Sequence, residues 1–183
     1  MKLDAFVLAG GHSRRMGRDK TKVFLPNGTS LLAQVVQAIR PVSGRISIVR
    51  RASQDSLAFP EDVEPLPVVF DRGGEAAHPL WGLEASLRAS TSEYALVVAC
   101  DLPDLPTEFL RQLVEKACLN GVVAAAGEHV HPLVAVYPKV LADAARDGAR
   151  SGISMQAFCR SCLRVQGQPE WFRNVNAPTD LAT

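Results

Sequence analysis

Short apolar runs alternate along the chain with longer segments in which apolar residues recur at helical spacing. The runs predict β-strands at 5–8, 45–49, 66–70, 94–99, 122–126 and 133–137. The longer segments predict helices at 30–39, 80–89, 107–120, 139–147 and 151–162. This alternation predicts an α/β fold of three layers, a mainly parallel sheet with helices on both faces, in one domain spanning residues 1–183.

Polar residues at the ends of these segments predict where helices begin and end. Ser30 and Ser151 are expected N-caps, because a short side-chain oxygen can accept from free N–H groups of the first turn. Asn120 and Gly121 predict a helix stop, since glycine tolerates the left-handed conformation. In open α/β sheets, ligands bind beyond the carboxyl ends of strands, so the residues that follow each strand are the candidates for function.

Composition narrows the class of protein. The chain has 183 residues, 47% of them apolar, with a net charge of +1, which favours a globular core and argues against a nucleic-acid surface. No apolar run approaches the roughly 20 residues of a membrane span, and the first strand begins at once without a secretory signal. We therefore expect a cytoplasmic monomer whose four cysteines are free thiols.

The loop after the first predicted strand concentrates glycine and positive charge. Residues 12–22 hold five cations against the single acid Asp19. Gly10 and Gly11 would let backbone N–H groups approach an anion closely, and the cations would neutralise phosphates. The spacing matches neither a P-loop nor the dinucleotide fingerprint, and an ordinary turn with solvated arginines stays open as an alternative.

Two aspartates follow predicted strands. Asp101 comes directly after an apolar run, where its carboxylate suits Mg²⁺ carrying substrate phosphates. A turn aspartate before Pro103 is the alternative, and the basic loop after the first strand favours the metal site. Asp71 could equally cap a turn with Gly73.

Other polar residues leave two readings open. Asn174 and Asn176 could bind a pterin or phosphate or belong to a plain turn. The Cys159 and Cys162 pair is more typical of core packing on a helix face than of a zinc site completed by His129 and His131. A structural or pterin-contacting role is expected for His131.

The string at residues 8–20 resembles the signature of the molybdenum cofactor guanylyltransferase (MobA) family, within the nucleotide-sugar pyrophosphorylase-like fold. Its fixed positions are Leu8, Ala9, Gly10, Gly11, Ser13, Arg15, Met16, Gly17, Asp19 and Lys20. The resemblance continues at Asp71, at 79–82, at 99–103, at 131–133, at 148–151 and at 174–181. It implies a Rossmann-like nucleotidyltransferase that transfers GMP from GTP to molybdopterin with Mg²⁺ and releases pyrophosphate.

The resemblance also assigns roles. Leu8, Ala9 and Gly10 would hold guanine and ribose, and Asp71 would help hold the nucleoside. Lys20 would contact the triphosphate, and Asp101 would bind Mg²⁺. Beyond the resemblance, the positive charge of Arg15 and the backbone amide of Gly11 would also stabilise the phosphates. Arg150 and Ser151, at an expected helix N-terminus, would grip the pterin phosphate. Gly10 favours guanine, because relatives that use CTP tend to have alanine there. Other cofactor-biosynthesis proteins and acceptor molybdoenzymes are the expected protein partners.

The sequence departs from the family pattern at several positions. His78 and Trp81 replace smaller residues, Ala177 replaces threonine, and an expected nucleoside-contacting asparagine falls at Val49 or the arginines after it. The alternatives are a cytidylyltransferase or sugar-1-phosphate nucleotidyltransferase with the same chemistry, or a catalytically silent nucleotide-binding or cofactor-delivery module.

Overall fold

The structure, a computed structural model, describes residues 3–10, 21, 23–52, 59–73, 78–175 and 180. Seven strands form one sheet: β1 (Leu3–Leu8), β2 (Ser43–Arg51), β3 (Val68–Asp71), β4 (Tyr94–Ala99), β5 (Val122–Ala126), β6 (His129–Pro138) and β7 (Leu163–Gln166). Five α-helices accompany them: α1 (Leu31–Ile39), α2 (Pro79–Ala89), α3 (Thr107–Glu115), α4 (Ala142–Arg150) and α5 (Met155–Phe158). Short 3₁₀ turns occupy Arg40–Val42, Lys139–Leu141 and Pro169–Phe172.

The strand order across the sheet is β3-β2-β1-β4-β6-β5-β7. Strands β3, β2, β1 and β4 run parallel, and β6 is antiparallel to both of its neighbours. Because β4 lies at the centre, residues just after it are flanked by β1 on one side and β6 on the other. The chain order of β1, β2 and β4 makes this a topological switch point, the usual ligand position in such sheets.

Apolar side chains fill both faces of the sheet. One core packs α1 and α3 against the sheet through residues such as Leu32, Ile39 and Phe109. The other packs α2 and α4 through Leu80, Leu83 and Ala145. The predicted three-layer fold is therefore confirmed. No helix in the described ranges combines the length and apolar character that a membrane span requires.

Several predicted boundaries are confirmed. Strands β4 and β5 have the predicted limits, and Ser30 is the N-cap of α1, accepting from the Ala33 N–H at 3.1 Å. None of the four cysteines, all of which the structure describes, forms a disulfide, and Cys159 and Cys162 are buried.

The helix prediction at 151–162 is wrong. Ser151 is the C-cap of α4 and not an N-cap, and the helix stops there because Gly152 adopts φ +69°. The N–H groups of Gly152 and Ile153 return to the carbonyls of Ala149 and Gly148, at 3.3 and 2.9 Å, which is a Schellman motif. The next helix, α5, begins after its own N-cap, Ser154, and is only four residues long.

Two further elements differ from prediction. Helix α3 ends at Glu115 and not at Asn120, because the chain turns between Cys118 and Gly121 to enter β5. Strand β7 was not predicted at all. Consequently Cys159 and Cys162 lie in a turn between α5 and β7, and not on a helix face.

Candidate active site

A cavity of about 520 Å³ opens at the carboxyl ends of the parallel strands. One side, the β1 side, is lined by Leu8, Ala9, Gly10, Val49, Arg51, Asp71, His78, Pro79 and Gly82. The opposite side, the β6 side, is lined by His129, Val130, His131, Pro132, Leu133, Val134 and Gln156. Residues 99–102, at the end of β4, and Asn174 complete the described lining. The cavity therefore has two halves that meet at the central strand.

The end of β1 is fixed by backbone hydrogen bonds to both neighbouring strands. The Ala9 N–H donates to the Val49 carbonyl at 2.9 Å, and the Cys100 N–H donates to the Leu8 carbonyl at 3.2 Å. At Gly10 an added Cβ would lie 3.3 Å from Arg51 Cγ and 3.4 Å from the Arg51 nitrogen. Glycine therefore lets the backbone after β1 approach β2 closely at this point.

Asp71 and Arg51 lie opposite each other in the β2–β3 register, and both line the β1 side. Asp71 Oδ1 accepts from the Gly73 N–H at 3.2 Å, so the turn after β3 orients the carboxylate. The pKa of Asp71 is raised, mainly because the carboxyl is buried and in smaller part because of the charge of Glu84. The hydrogen bond from the Gly73 N–H and the charge of Arg51 lower it, but they do not offset the burial. An Asp71 carboxyl in this setting is suited to polar contacts with a nucleoside.

His78, which replaces the smaller family residue, is the N-cap of α2. Its Nδ1 accepts from the Leu80 N–H at 3.2 Å, and Pro79 occupies the first helical position. The side chain thus satisfies a free N–H of the first turn and also lines the cavity.

Asp101 lies where the two halves of the cavity meet. Its main-chain carbonyl accepts from the Val175 N–H at 3.0 Å, which brings the C-terminal segment across the end of β4. An Arg173–Asp104 ion pair at 2.9 Å fastens the same segment to the loop after β4. Asp101 and Asn174, 73 positions apart in the sequence, therefore line one cavity.

Aromatic rings support the β6 side. His131 stacks on Phe172 with ring centroids 4.0 Å apart and planes at 15°, and His129 approaches His131 edge-on at 4.7 Å. Burial, with the charge of His129, lowers the pKa of His131 to about 4, so His131 is neutral near pH 7. Gln156 from α5 donates to the Val130 carbonyl at 3.0 Å and holds the start of β6.

The donor set at the cavity fits a magnesium ion that is bound mainly by substrate. Among the described residues no group of three or more His, Cys, Asp or Glu side chains could hold a metal by itself. Mg²⁺ usually takes one or two carboxylates together with substrate phosphates, and a single hard carboxylate at Asp101 satisfies that requirement. Asp101 is the residue that would hold it.

Seven of the residues given a possible binding role from the sequence meet in this cavity: Leu8, Ala9, Gly10, Asp71, Asp101, His131 and Asn174. Four others, Gly11, Arg15, Lys20 and Asn176, lie outside the described residues. The basic loop that predicted a triphosphate site belongs almost entirely to this second group.

Arg150 and Ser151 do not line the described cavity. They end α4 instead of beginning a helix, so the expected helix N-terminus is absent there. A helix C-terminus carries partial negative charge, which disfavours an anion. Their contact with a pterin phosphate stays a prediction without that support.

Sequence reasoning gave no site role to three lining residues, Arg51, His129 and Gln156. Arg51 occupies the region where the family asparagine was expected, and its side chain reaches the cavity through the β2–β3 register. Gln156 was hidden by the wrong helix prediction. The spacing of His129 and His131 on one strand, two apart, was the available signal that both face one side.

Comparison with known proteins identifies the family. The family model described as MobA-like NTP transferase domain matches residues 5–165. A probable molybdenum cofactor guanylyltransferase of Opitutus terrae is 35% identical, covering 95% of this chain and 90% of the relative. Another, of Flavobacterium johnsoniae, is 32% identical, with 75% of this chain and 69% of the relative covered.

A solved structure shares the fold. The crystal structure of molybdopterin-guanine dinucleotide biosynthesis protein A from Archaeoglobus fulgidus superimposes with a TM-score of 0.73. The match has 24% identity and covers 98% of this chain and 95% of the other.

Proposed function

Because this chain belongs to the MobA-like NTP transferase family, we propose that it transfers GMP from GTP to molybdopterin. The relatives in Opitutus terrae and Flavobacterium johnsoniae carry the name of this activity. The observation that carries the proposal is the two-sided cavity, with Asp101 at the junction of its halves. One half would hold the nucleotide and the other the acceptor.

In the proposed reaction an acceptor phosphate oxygen forms a bond to the α-phosphorus of GTP. The bond from that phosphorus to the β-phosphate oxygen breaks, and pyrophosphate leaves with the electron pair. The attacking oxygen is already anionic, so no general base is required. Positioning and charge neutralisation therefore supply most of the rate enhancement.

The β1 side suits the nucleotide. Leu8, Ala9 and Gly10 line the cavity and would lie along a purine edge, while Arg51 and the oriented Asp71 offer a donor and an acceptor on the same side. Lys20, a fixed position of the family signature, would contact the triphosphate, and Arg15 would add positive charge to neutralise it.

Asp101 would hold Mg²⁺ at the junction. When bound, the ion supplies positive charge to the phosphates during transfer. The chain contributes the position of that carboxylate, since β4 and the Val175 hydrogen bond both fix its backbone.

The β6 side suits the acceptor. A neutral His131 stacked on Phe172 presents an aromatic ring edge and hydrogen-bonding nitrogens without a formal charge. The exposed Asn174 lines the same cavity, and its side-chain amide can both donate and accept. A planar, polar heterocycle such as a pterin matches these groups.

Two assays on the purified chain test the proposal. Thermal unfolding with GTP, CTP and ATP should show the largest stabilisation with GTP, because a ligand at 100 times its dissociation constant adds about 2.7 kcal/mol. Pyrophosphate release should then require both GTP and molybdopterin. Release with CTP or a sugar 1-phosphate would favour the corresponding transferase, and GTP binding without release would favour a silent module.

A further inference from the structure

Strand β6 carries a local irregularity at the cavity wall. Val123 of β5 pairs with Ala135, whereas the next residue, Ala124, pairs with His131. Residues 132–134 thus have no partner on β5, and all three line the cavity. Pro132 has no backbone N–H, so only its carbonyl can form a main-chain hydrogen bond that fixes its position.

The anchor is Tyr137, five residues further along the same strand. Its hydroxyl donates to the Pro132 carbonyl at 2.8 Å and lies 2.8 Å from Cys159 Sγ. The hydroxyl has one proton, so the Cys159 thiol donates to it. Burial, with the adjacent cysteines, raises the pKa of Tyr137 well above its ordinary value, so the hydroxyl keeps its proton at any ordinary pH.

The Tyr137 ring has little freedom to move. It is fully buried, with Phe158 edge-on at a centroid distance of 6.2 Å. At Gly121, where φ is +80°, an added Cβ would lie 3.2 Å from Tyr137 Cδ1. A rigid ring therefore holds its hydroxyl against Pro132 from beneath the cavity wall.

We propose that Tyr137 is a positioning residue for the acceptor half of the cavity, acting through its hydrogen bond to Pro132. Tyr137 itself does not line the cavity as described, so it acts by fixing residues 131–134. The identity of the acceptor rests on the proposed function, namely that it is a phosphorylated pterin.

Tyr137→Phe removes the hydroxyl and keeps the ring. We expect the KM for molybdopterin to rise about five- to tenfold, the scale of one lost buried hydrogen bond. The KM for GTP should change less than about twofold, because the residues that line the β1 side do not belong to β6, the strand that Tyr137 fixes.

Two matched variants isolate the Pro132 bond. Ser43→Ala removes another buried hydroxyl, which donates to the Ile39 carbonyl at 3.1 Å at the opposite end of the sheet. Cys159→Ala removes the second partner of Tyr137 and leaves the Pro132 bond in place. Both should keep the molybdopterin KM within about twofold of the wild type. If the KM for molybdopterin rose as much in Cys159→Ala as in Tyr137→Phe, the effect of Tyr137 could not be ascribed to its hydrogen bond with Pro132.

A second measurement needs no acceptor. NMR titration should give His131 a pKa of about 4 in the wild type and a value closer to 6.5 in Tyr137→Phe, as the adjacent wall loosens. If the wild type makes no dinucleotide, the proposed function fails while this titration still tests the geometry. An unchanged His131 titration, or equal rises in both KM values, would overturn the positioning role.

Discussion

The indole ring of Trp81 lies against the backbone of Gly73. An added Cβ at Gly73 would be 2.4 Å from Trp81 Cδ1 and 2.7 Å from Cγ, far inside van der Waals contact. The Gly73 N–H also donates to Asp71, so packing by α2 and orientation of a cavity carboxylate share one turn. Trp81, a departure from the family pattern, therefore shapes the β1 side without lining it.

Gly73→Ala should reduce the free energy of unfolding by about 1–3 kcal/mol, the usual range for overpacking. In a Trp81→Ala background the same substitution should cost less than about 1 kcal/mol, because the clashing ring is gone. Urea denaturation of the four proteins in this cycle measures the coupling. Equal costs in both backgrounds would mean that the Trp81 contact does not constrain the turn.

Gly10→Ala should lower the preference for GTP over CTP by about tenfold, the scale of one added methyl group in a binding pocket. The new Cβ would press on Arg51 Cγ at 3.3 Å, and Arg51 lines the proposed nucleotide half of the cavity. Calorimetric titration of each nucleotide into the wild type and the variant measures the ratio. An unchanged ratio of the two affinities would show that Gly10 does not determine the preference for GTP.

Neutral His131 predicts a pH dependence of stability. The folded chain keeps His131 unprotonated down to about pH 4, whereas the unfolded chain binds a proton below about 6.5. The unfolded state thus binds more protons between these values, and stability is lost as the pH falls from 6.5 towards 4.

In His131→Asn this contribution should be absent, so its unfolding free energy should fall less steeply over that pH range. His129→Asn provides a control, because it removes only the charge of His129, the smaller of the two causes that lower the pKa of His131. The pH dependence of its unfolding free energy should lie between those of the wild type and His131→Asn. Denaturant unfolding at a series of pH values makes the comparison. If the unfolding free energy of all three proteins fell equally with pH, the lowered pKa of His131 would be contradicted.

Elements with strong local signals were predictable from the sequence. Strands β4 and β5 are unbroken apolar runs with polar neighbours, and the Ser30 cap acts within its own first turn. The end of α4 also had a local signal, because a glycine followed by an apolar residue, here Gly152 and Ile153, is typical of a helix C-terminus. The helical spacing of apolar residues in 151–162 concealed this signal.

Strand β7 could not be predicted in this way. Of its four residues only Val165 is buried, so the sequence has no apolar run there, and the strand forms because it pairs with β5.

The cavity residues were likewise predictable only where the signal is local in the sequence. Gly10 and Asp101 follow strands and Asp71 ends one, so these three positions were predictable. The opposition of Arg51 and Asp71 was not, because it depends on the pairing of two strands joined by a loop. The Tyr137 bond to Pro132 likewise depends on an irregular register.

The proposed mechanism depends most on Asp101, which lies at the junction of the two cavity halves. Asp101→Asn removes the charge and keeps the side-chain size, and the main-chain bond to Val175 does not involve the side chain. Thermal unfolding and pyrophosphate release should be measured on the same preparation across a magnesium titration. We predict a nearly unchanged melting temperature and a loss of transfer of about 10² or more. Full transfer at ordinary magnesium, or a lowered melting temperature with turnover per folded molecule intact, would contradict it.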